Sequence, residues 1–216
     1  MKYWRRLRLA TARLAPFLIL GLLSRGAALA QDARAELESL LDEIVDLTAS
    51  FEESLYDADG ELLDISSGRF SLLRPGRFVW HYDEPFEYIV VADGDSLWTY
   101  DVEFEQVTRA PISDLDNSPF MLLSGDGRLG DAFDVANLPS ADGRRWIEMS
   151  PRDGSADFSA ARIAFADGVP GALELVDSLS QLTRIDFEEI EINGGIDREL
   201  FEFEPPPGVN VAGLDD

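Results

Sequence analysis

The side chains able to do chemistry in this sequence are almost all carboxylates. There are 42 Asp and Glu residues, one histidine and no cysteine. That inventory leaves no Cys-His nucleophile and no thiolate or imidazole zinc cluster. Carboxylate pairs at general acid–base spacing would arise by chance at this density. Asp93-Gly94, Asp142-Gly143, Asp153-Gly154 and Asp167-Gly168 lack the alternating Asp/Asn ligands and closing Glu of a calcium loop, and read instead as hairpin turns. The single histidine, His81, has the strand parity opposite to Phe78 and Trp80, which points it outward into solvent. The sequence therefore predicts no catalytic residue, no metal site and no cofactor. A hydrolase acting on lipids stands well behind binding functions.

What stands out instead is apolar. Between Ser66 and Tyr100 the chain reads strand, turn, strand, turn, strand, turn, strand. Phe70, Leu72 and Arg74 share one parity and so one face, and Phe78 and Trp80 alternate with Val79 and His81 on the next strand. Arg74-Pro75-Gly76 is a tight turn, with Gly76 suited to a left-handed position. Asp93-Gly94 between Tyr88–Ala92 and Ser96–Tyr100 is a strong hairpin signal. So much large apolar surface on a short β-meander suits a wall for a greasy ligand. On the residues alone, Phe78 and Trp80 read first as packed core aromatics, and Arg74 as a solvated turn arginine.

The first 30 residues read as an export signal. Lys2, Arg5, Arg6, Arg8 and Arg13 precede an apolar run, Leu14–Leu23, too short to span a bilayer, and Ala28-Leu29-Ala30 offers a cleavage site. Residues 1–30 are thus expected to be removed, leaving residues 31–216 as one soluble domain, in the periplasm if the cell is Gram-negative. Without cysteine the protein is not itself a lipoprotein. Removal of the leader, with its six basic residues, leaves 12 arginines against 42 acids, a net charge of about −30. Such a field argues against nucleic acid and anionic lipid as partners and favours a soluble monomer.

The remaining elements follow from periodicity. Leu37, Leu40, Leu41, Ile44, Leu47, Phe51 and Leu55 recur at three- and four-residue steps, which predicts one helix over Ala33–Tyr56, capped by Asp32 and closed by Asp59-Gly60. Strands are expected at Glu61–Leu73 and Phe104–Arg109, then at Ala132–Ala136, Arg144–Ser150, Ala160–Ala166, Ala172–Ser178 and Gln181–Ile192, with a short last one at Leu200–Phe203 before Pro205-Pro206-Pro207-Gly208. Ile112–Leu115 and Pro119–Leu123 read as short helical turns. The fold class is mainly β with α: an unclosed antiparallel half-barrel of about ten or eleven strands under an N-terminal helix and a short helical lid.

Several of these segments, in this order, resemble the LolA family of periplasmic outer-membrane lipoprotein carriers. They are R-P-x-x-F-x-W at Arg74–Trp80, the run Ile89–Tyr100, E-Q-V-T at Glu105–Thr108, S-P-F-M-L-L at Ser118–Leu123 and the run Phe201–Val209. The resemblance implies an unclosed barrel holding the acyl chains of lipoproteins, accepted from an inner-membrane ABC transporter and passed to an outer-membrane receptor. It implies a cavity lined by Phe70, Leu72, Phe78 and Trp80, covered by the apolar helix residues Leu37, Leu40, Leu41, Ile44 and Phe51, with a lid at Phe120, Met121, Leu122 and Leu123. It also implies that Arg74 latches the lid. That role is physically reasonable, since a guanidinium offers five donors to the orphan carbonyls of a helix end. A carrier needs such a pocket because each methylene withdrawn from water contributes about 0.8 kcal/mol. The other reading open at this stage is a sensor or regulatory module of the same half-barrel shape, binding lipidated or misfolded periplasmic proteins.

Overall fold

Residues 23–115, 133–140, 142–152 and 158–213 are described by the computed structural model. Most of them alternate with a period of two, and they build one twelve-stranded sheet. The strands are β1 (Asp46–Tyr56), β2 (Leu62–Leu73), β3 (Arg77–Glu84), β4 (Tyr88–Asp93), β5 (Ser96–Asp101), β6 (Gln106–Pro111), β7 (Phe133–Leu138), β8 (Arg145–Pro151), β9 (Phe158–Ala166), β10 (Val169–Asp177), β11 (Leu182–Ile192) and β12 (Asn210–Gly213). Their order is β12-β6-β5-β4-β3-β2-β1-β11-β10-β9-β8-β7, so β12 and β7 are the edges and the sheet is unclosed. Every pairing is antiparallel except β12 on β6.

One helix, α1 (Leu23–Asp42), precedes the sheet. It ends at Asp42 rather than continuing to Tyr56, and residues 46–56 form β1 at the centre of the sheet. The four-residue spacing of Leu47, Phe51 and Leu55 fits a helix face and a strand face equally, since four is an even number and is also close to one helical turn. The exit of the helix is held by a residue 150 positions away from Glu43. Asn193 Nδ2 donates to the Glu43 carbonyl at 2.9 Å, and Asn193 Oδ1 accepts from the Val45 amide at 2.8 Å. Asn193, with φ of 57°, thereby satisfies groups that the helix end leaves open. Asp32 lies inside the helix rather than capping it, and Asp59-Gly60 turns a hairpin between β1 and β2, with Gly60 at φ 82°.

The inner face of the sheet carries the core. Ala33, Leu37, Leu41 and Ile44 from α1 and the following turn pack with Leu47, Ala49, Phe51, Phe70, Leu72, Phe78 and Trp80 from one half of the sheet. Phe133, Val135, Ile147, Met149, Ile163, Phe165, Leu173, Ile185 and Phe187 from the other half complete it. The helix leans on the β7 edge. Arg34 donates to the Phe133 carbonyl, Arg145 pairs with Glu36, and Asn137 donates to Glu36 at 3.3 Å.

The outer face has a smaller core of its own. Val91 and Val107 are buried there together with Phe201, which closes a 3-10 turn, Arg198–Phe201. The segment expected as a last strand at Leu200–Phe203 is therefore this turn and its exit, and Phe203 lays its ring 5.5 Å from Trp98 and 6.1 Å from Tyr100. After the prolines the chain adds β12 to the β6 edge.

The β2–β3 pairing shifts register between Ser67 and Gly68, and this is where a glycine is indispensable. A Cβ on Gly68 would lie 2.0 Å from the His81 carbonyl oxygen and 2.9 Å from the Tyr82 Cα, both backbone atoms. Gly68→Ala is expected to destabilise by about 2 kcal/mol or more. Ser67→Ala next to it is expected to stay within about 0.5 kcal/mol of the parent. Urea unfolding midpoints of the two variants check this.

Candidate functional site

Strand pleating sets which side chains face inward. Phe70 lies opposite Trp80 on β3 and Ala49 on β1, and Leu72 lies opposite Phe78 and Leu47. All four sequence-predicted wall residues, Phe70, Leu72, Phe78 and Trp80, are on the inner face and at most 3% exposed. Leu37, Leu41 and Ile44 cover them from α1 and its exit, while Leu40 is half-buried against the same cluster. Phe51 reaches this surface as expected, but from β1 inside the wall rather than from the covering helix. The lid residues Phe120, Met121, Leu122 and Leu123 lie outside the described residues.

The rings interlock. Phe70 stacks on Trp80 at 4.2 Å, and Phe51 meets the same indole edge-on at 4.9 Å. Phe187 closes the group at 5.7 Å from Phe70 and 6.0 Å from Trp80. Edge-to-face and offset pairs at these separations add to the burial of the rings themselves. Sequence reasoning misses Phe187, and with it the second half of the wall: Ile147, Met149, Ile163, Phe165, Leu173 and Ile185. Their signal is present in the alternation of β8 to β11, but no aromatic-rich motif marks it.

Arg74 follows β2 directly, at the end of the sheet where α1 hands over to β1. Its backbone N–H donates to the Val45 carbonyl at 2.9 Å, which ties it to that junction. Arg74 is half-buried with its Nε out of solvent. It precedes a cis peptide bond to Pro75, and Gly76 takes the left-handed position at φ 72°.

At the opposite end of the wall the apolar surface gives way to a polar pair. Tyr82 continues the inward row of Phe78 and Trp80, packs against Phe51 at 5.1 Å and donates its hydroxyl to Glu53 Oε2 at 3.0 Å. Burial pushes the Glu53 carboxyl above the usual carboxylate range. The Tyr82 hydrogen bond works against that shift, and the nearby Asp64 adds to it. Burial first, then the Glu53 charge and hydrogen bond, push the Tyr82 phenol up as well.

The outer face is built differently on its two halves. His81 points outward as expected, but it is bracketed rather than solvated: Arg69 Nη2 sits 3.1 Å from Nδ1 and Glu87 Oε1 3.1 Å from Nε2. Arg69 also holds Asp83 at 2.9 Å, and that hydrogen bond is the main cause lowering the Asp83 carboxyl. Across β8 to β11 a row of alternating charge, Glu148–Arg162–Glu174–Arg184, runs from strand to strand with contacts of 2.8, 3.4 and 3.3 Å. At Trp146, Arg144 and Arg184 lie 5.8 and 5.9 Å from the ring.

An inward wall of apolar and aromatic groups under a helix can hold hydrocarbon and offers no nucleophile. Residues 42–204 match the family described as "Outer membrane lipoprotein carrier protein LolA". The chain belongs to the LolA family. An outer-membrane lipoprotein carrier protein of Halorhodospira halophila is 38% identical over 181 residues, covering 83% of this chain and 85% of its own. One from Bordetella bronchiseptica is 34% identical over 207 residues, covering 95% and 98%. Among solved structures, an uncharacterized conserved protein from Thermus thermophilus shares the fold, with a TM-score of 0.53 at 12% identity over 86% of this chain and 99% of its own. The LolA match takes in the whole of the aromatic wall, Arg74 and the outer-face residues up to Phe203.

The Glu53 site makes a testable statement about pH. A carboxyl whose folded value is raised binds its proton more tightly in the folded than in the unfolded chain. Stability at this site is therefore greatest below the unfolded value of about 4.3 and falls as pH rises towards the folded one. Glu53→Gln keeps an acceptor for Tyr82 and removes the charge. It is expected to raise Tm at pH 7, with the gain shrinking towards pH 4, as read by thermal melts across that range.

Proposed function

We propose that this protein carries lipoproteins through the periplasm, sheltering their acyl chains against the inner face of the half-barrel. The observation that carries the reading is the inward aromatic wall at Phe51, Phe70, Phe78, Trp80 and Phe187, covered by a helix with polar ties to β7 and to the first residue of β8. Such a helix can swing away without breaking a strand pairing, and chains entering beneath it would replace its contacts with equivalent apolar ones. Membership of a family of carriers supports the reading, and it is also the ground for not expecting an enzyme. The basic leader with its short apolar run supports export, with residues 31–216 as the working domain. No helix among the described residues is long and apolar enough to cross a membrane.

In this reading the cargo is taken from an inner-membrane ABC transporter and given to an outer-membrane receptor, and the carrier works as a monomer. Net charge supports docking on basic partner surfaces, with association slowed by added salt. Co-expression with a bacterial lipoprotein followed by native mass spectrometry tests the function. A soluble one-to-one complex is expected, and a processed lipoprotein or none bound would refute it.

Arg74 is the proposed latch. It stands at the α1–β1 junction, where its own backbone already holds Val45, and each charge-assisted hydrogen bond from its guanidinium to a carbonyl of the cover contributes about 1.5–3 kcal/mol. Arg74→Leu is expected to keep the sheet and its melting transition. It should accept cargo but pass it to purified receptor roughly tenfold more slowly, because closure of the empty carrier no longer helps drive release. Transfer at the parental rate would make Arg74 a structural turn residue.

A further inference from the structure

We propose that the step between the β1–β2 and β3–β4 hairpins docks a partner protein whose contacting side is basic around an apolar centre. The proposal rests on the carrier reading and names the chemistry of the surface that meets the carrier. β2 pairs with β1 out to Leu62, but its pairing with β3 stops at Ser67, opposite Glu84. Among the described residues, Leu62–Ser66 therefore have no strand beside them on the β3 side. The chain turns at Pro85 and Phe86 directly after Glu84, which sets Phe86 at about the level of Ile65 along the sheet.

This step is apolar where it meets solvent. Leu62, Leu63, Ile65 and Phe86 are 50, 52, 47 and 67% exposed. One exposed leucine is ordinary, but four large apolar side chains at one step of so acidic a chain mark a contact surface. Leu63 is left without a partner by the register shift between β1 and β2. Such a bulge limits extension of the ladder along this short edge, so recognition falls to side chains. Charge identifies the occupant. Glu61, Asp64 and Glu84 are exposed around the apolar four, and none sits against an arginine among the described residues. Elsewhere Glu36, Asp83, Glu148, Glu174 and Asp186 each do. A second copy of the chain would bring these carboxylates against themselves, and an anionic bilayer would repel them. A basic protein surface is drawn in by them, and the apolar four then supply the desolvated centre of the contact.

The test measures binding of the full mature chain to the purified inner-membrane transporter and to the purified outer-membrane receptor. The variant is Leu63→Ser with Phe86→Ser, and the control is Leu200→Ser, 51% exposed on the 3-10 turn. The double variant is expected to bind at least one of the two partners about tenfold more weakly, and the control to stay within about twofold. Glu61→Gln with Glu84→Gln is expected to slow association several-fold at low salt, with the difference vanishing at high salt. All these positions are exposed, so melting transitions are expected to stay close to the parent. Vesicles of phosphatidylethanolamine with phosphatidylglycerol, and sedimentation of the chain alone, probe the other occupants. Loss of vesicle binding or of self-association in the double variant, with both proteins bound as before, overturns the proposal in favour of a membrane or a second copy. Parental binding of both proteins by the double variant overturns it, as do equal losses in the control and failure of the parent chain to bind either. Binding of an acylated lipopeptide is measured alongside. A parent chain that takes up the lipopeptide while the docking arm fails loses only this inference, and one that does not take it up loses the carrier reading whatever the docking result.

Discussion

An unclosed sheet with an apolar inner face cannot be left as it is, and the other features of this protein answer that constraint. A closed barrel buries its interior by curving onto itself, but here β12 and β7 are separate edges. The inner face must therefore be covered by something other than a strand. Helix α1 is the described part of that cover, and it sets Ala33, Leu37 and Leu41 onto the wall without exposure. Burying one wall aromatic removes on the order of 150–250 Å² from water, about 4–6 kcal/mol as an upper bound. The same surface that stabilises the closed chain is the one a lipid would occupy. If a cargo acyl chain occupies that surface, as proposed above, it competes with the protein's own cover for the same contacts, and loading and opening would be one event.

The outer face solves a different problem, that of a chain with a formal charge of −24. Like charges on adjacent strands repel. On β8 to β11 the arginines are interleaved with the acids, so that each strand crossing meets the opposite sign. Arg162 and Arg184 are each held above their ordinary values chiefly by hydrogen bonds to Glu148 and Asp186. On β3 to β6 the chain uses apolar cover instead, bringing Phe201 and Phe203 back over Val91, Trp98 and Tyr100, with Arg109 over the Trp98 ring at 5.0 Å. Charge balance is thereby handled on the outside, and the aromatic wall is left to apolar groups up to its Glu53 end.

Much of this was legible in the residues. Most of the strand segments, the Asp-Gly hairpins and the inward parity of Phe70, Leu72, Phe78 and Trp80 followed from alternation and turn chemistry alone, because a half-buried strand cannot hide its period. Three elements were not legible, the 3-10 turn at Arg198–Phe201 and the two that follow. Residues 46–56 carry a spacing that suits either structure, and they are a strand here because β2 and β11 pair with them on both sides, contacts that lie far away in sequence on the β11 side. Residues 210–213 have too little apolar content to announce a strand, and they become one because β6 offers an unpaired edge. The candidate site divides in the same way. The Arg74–Trp80 motif was visible, whereas Glu53 and Tyr82 became a pair only when β1 was recognised as a strand. Before that Glu53 was one carboxylate among many.

The strand order also dictates when the protein can fold. The centre of the sheet is β1 on β11, which joins Leu47 to Ile192, and one edge joins Gln106 to Asn210. The helix, which comes first, docks beside β7 roughly a hundred residues later. Closing loops of that length is slow, which places folding towards the millisecond-to-second range of non-local β topologies. While the chain is being made, β1 to β6 can form only an open meander with its greasy side bare. The two halves of the sheet are joined only when β11, in the last quarter of the chain, arrives to pair with β1.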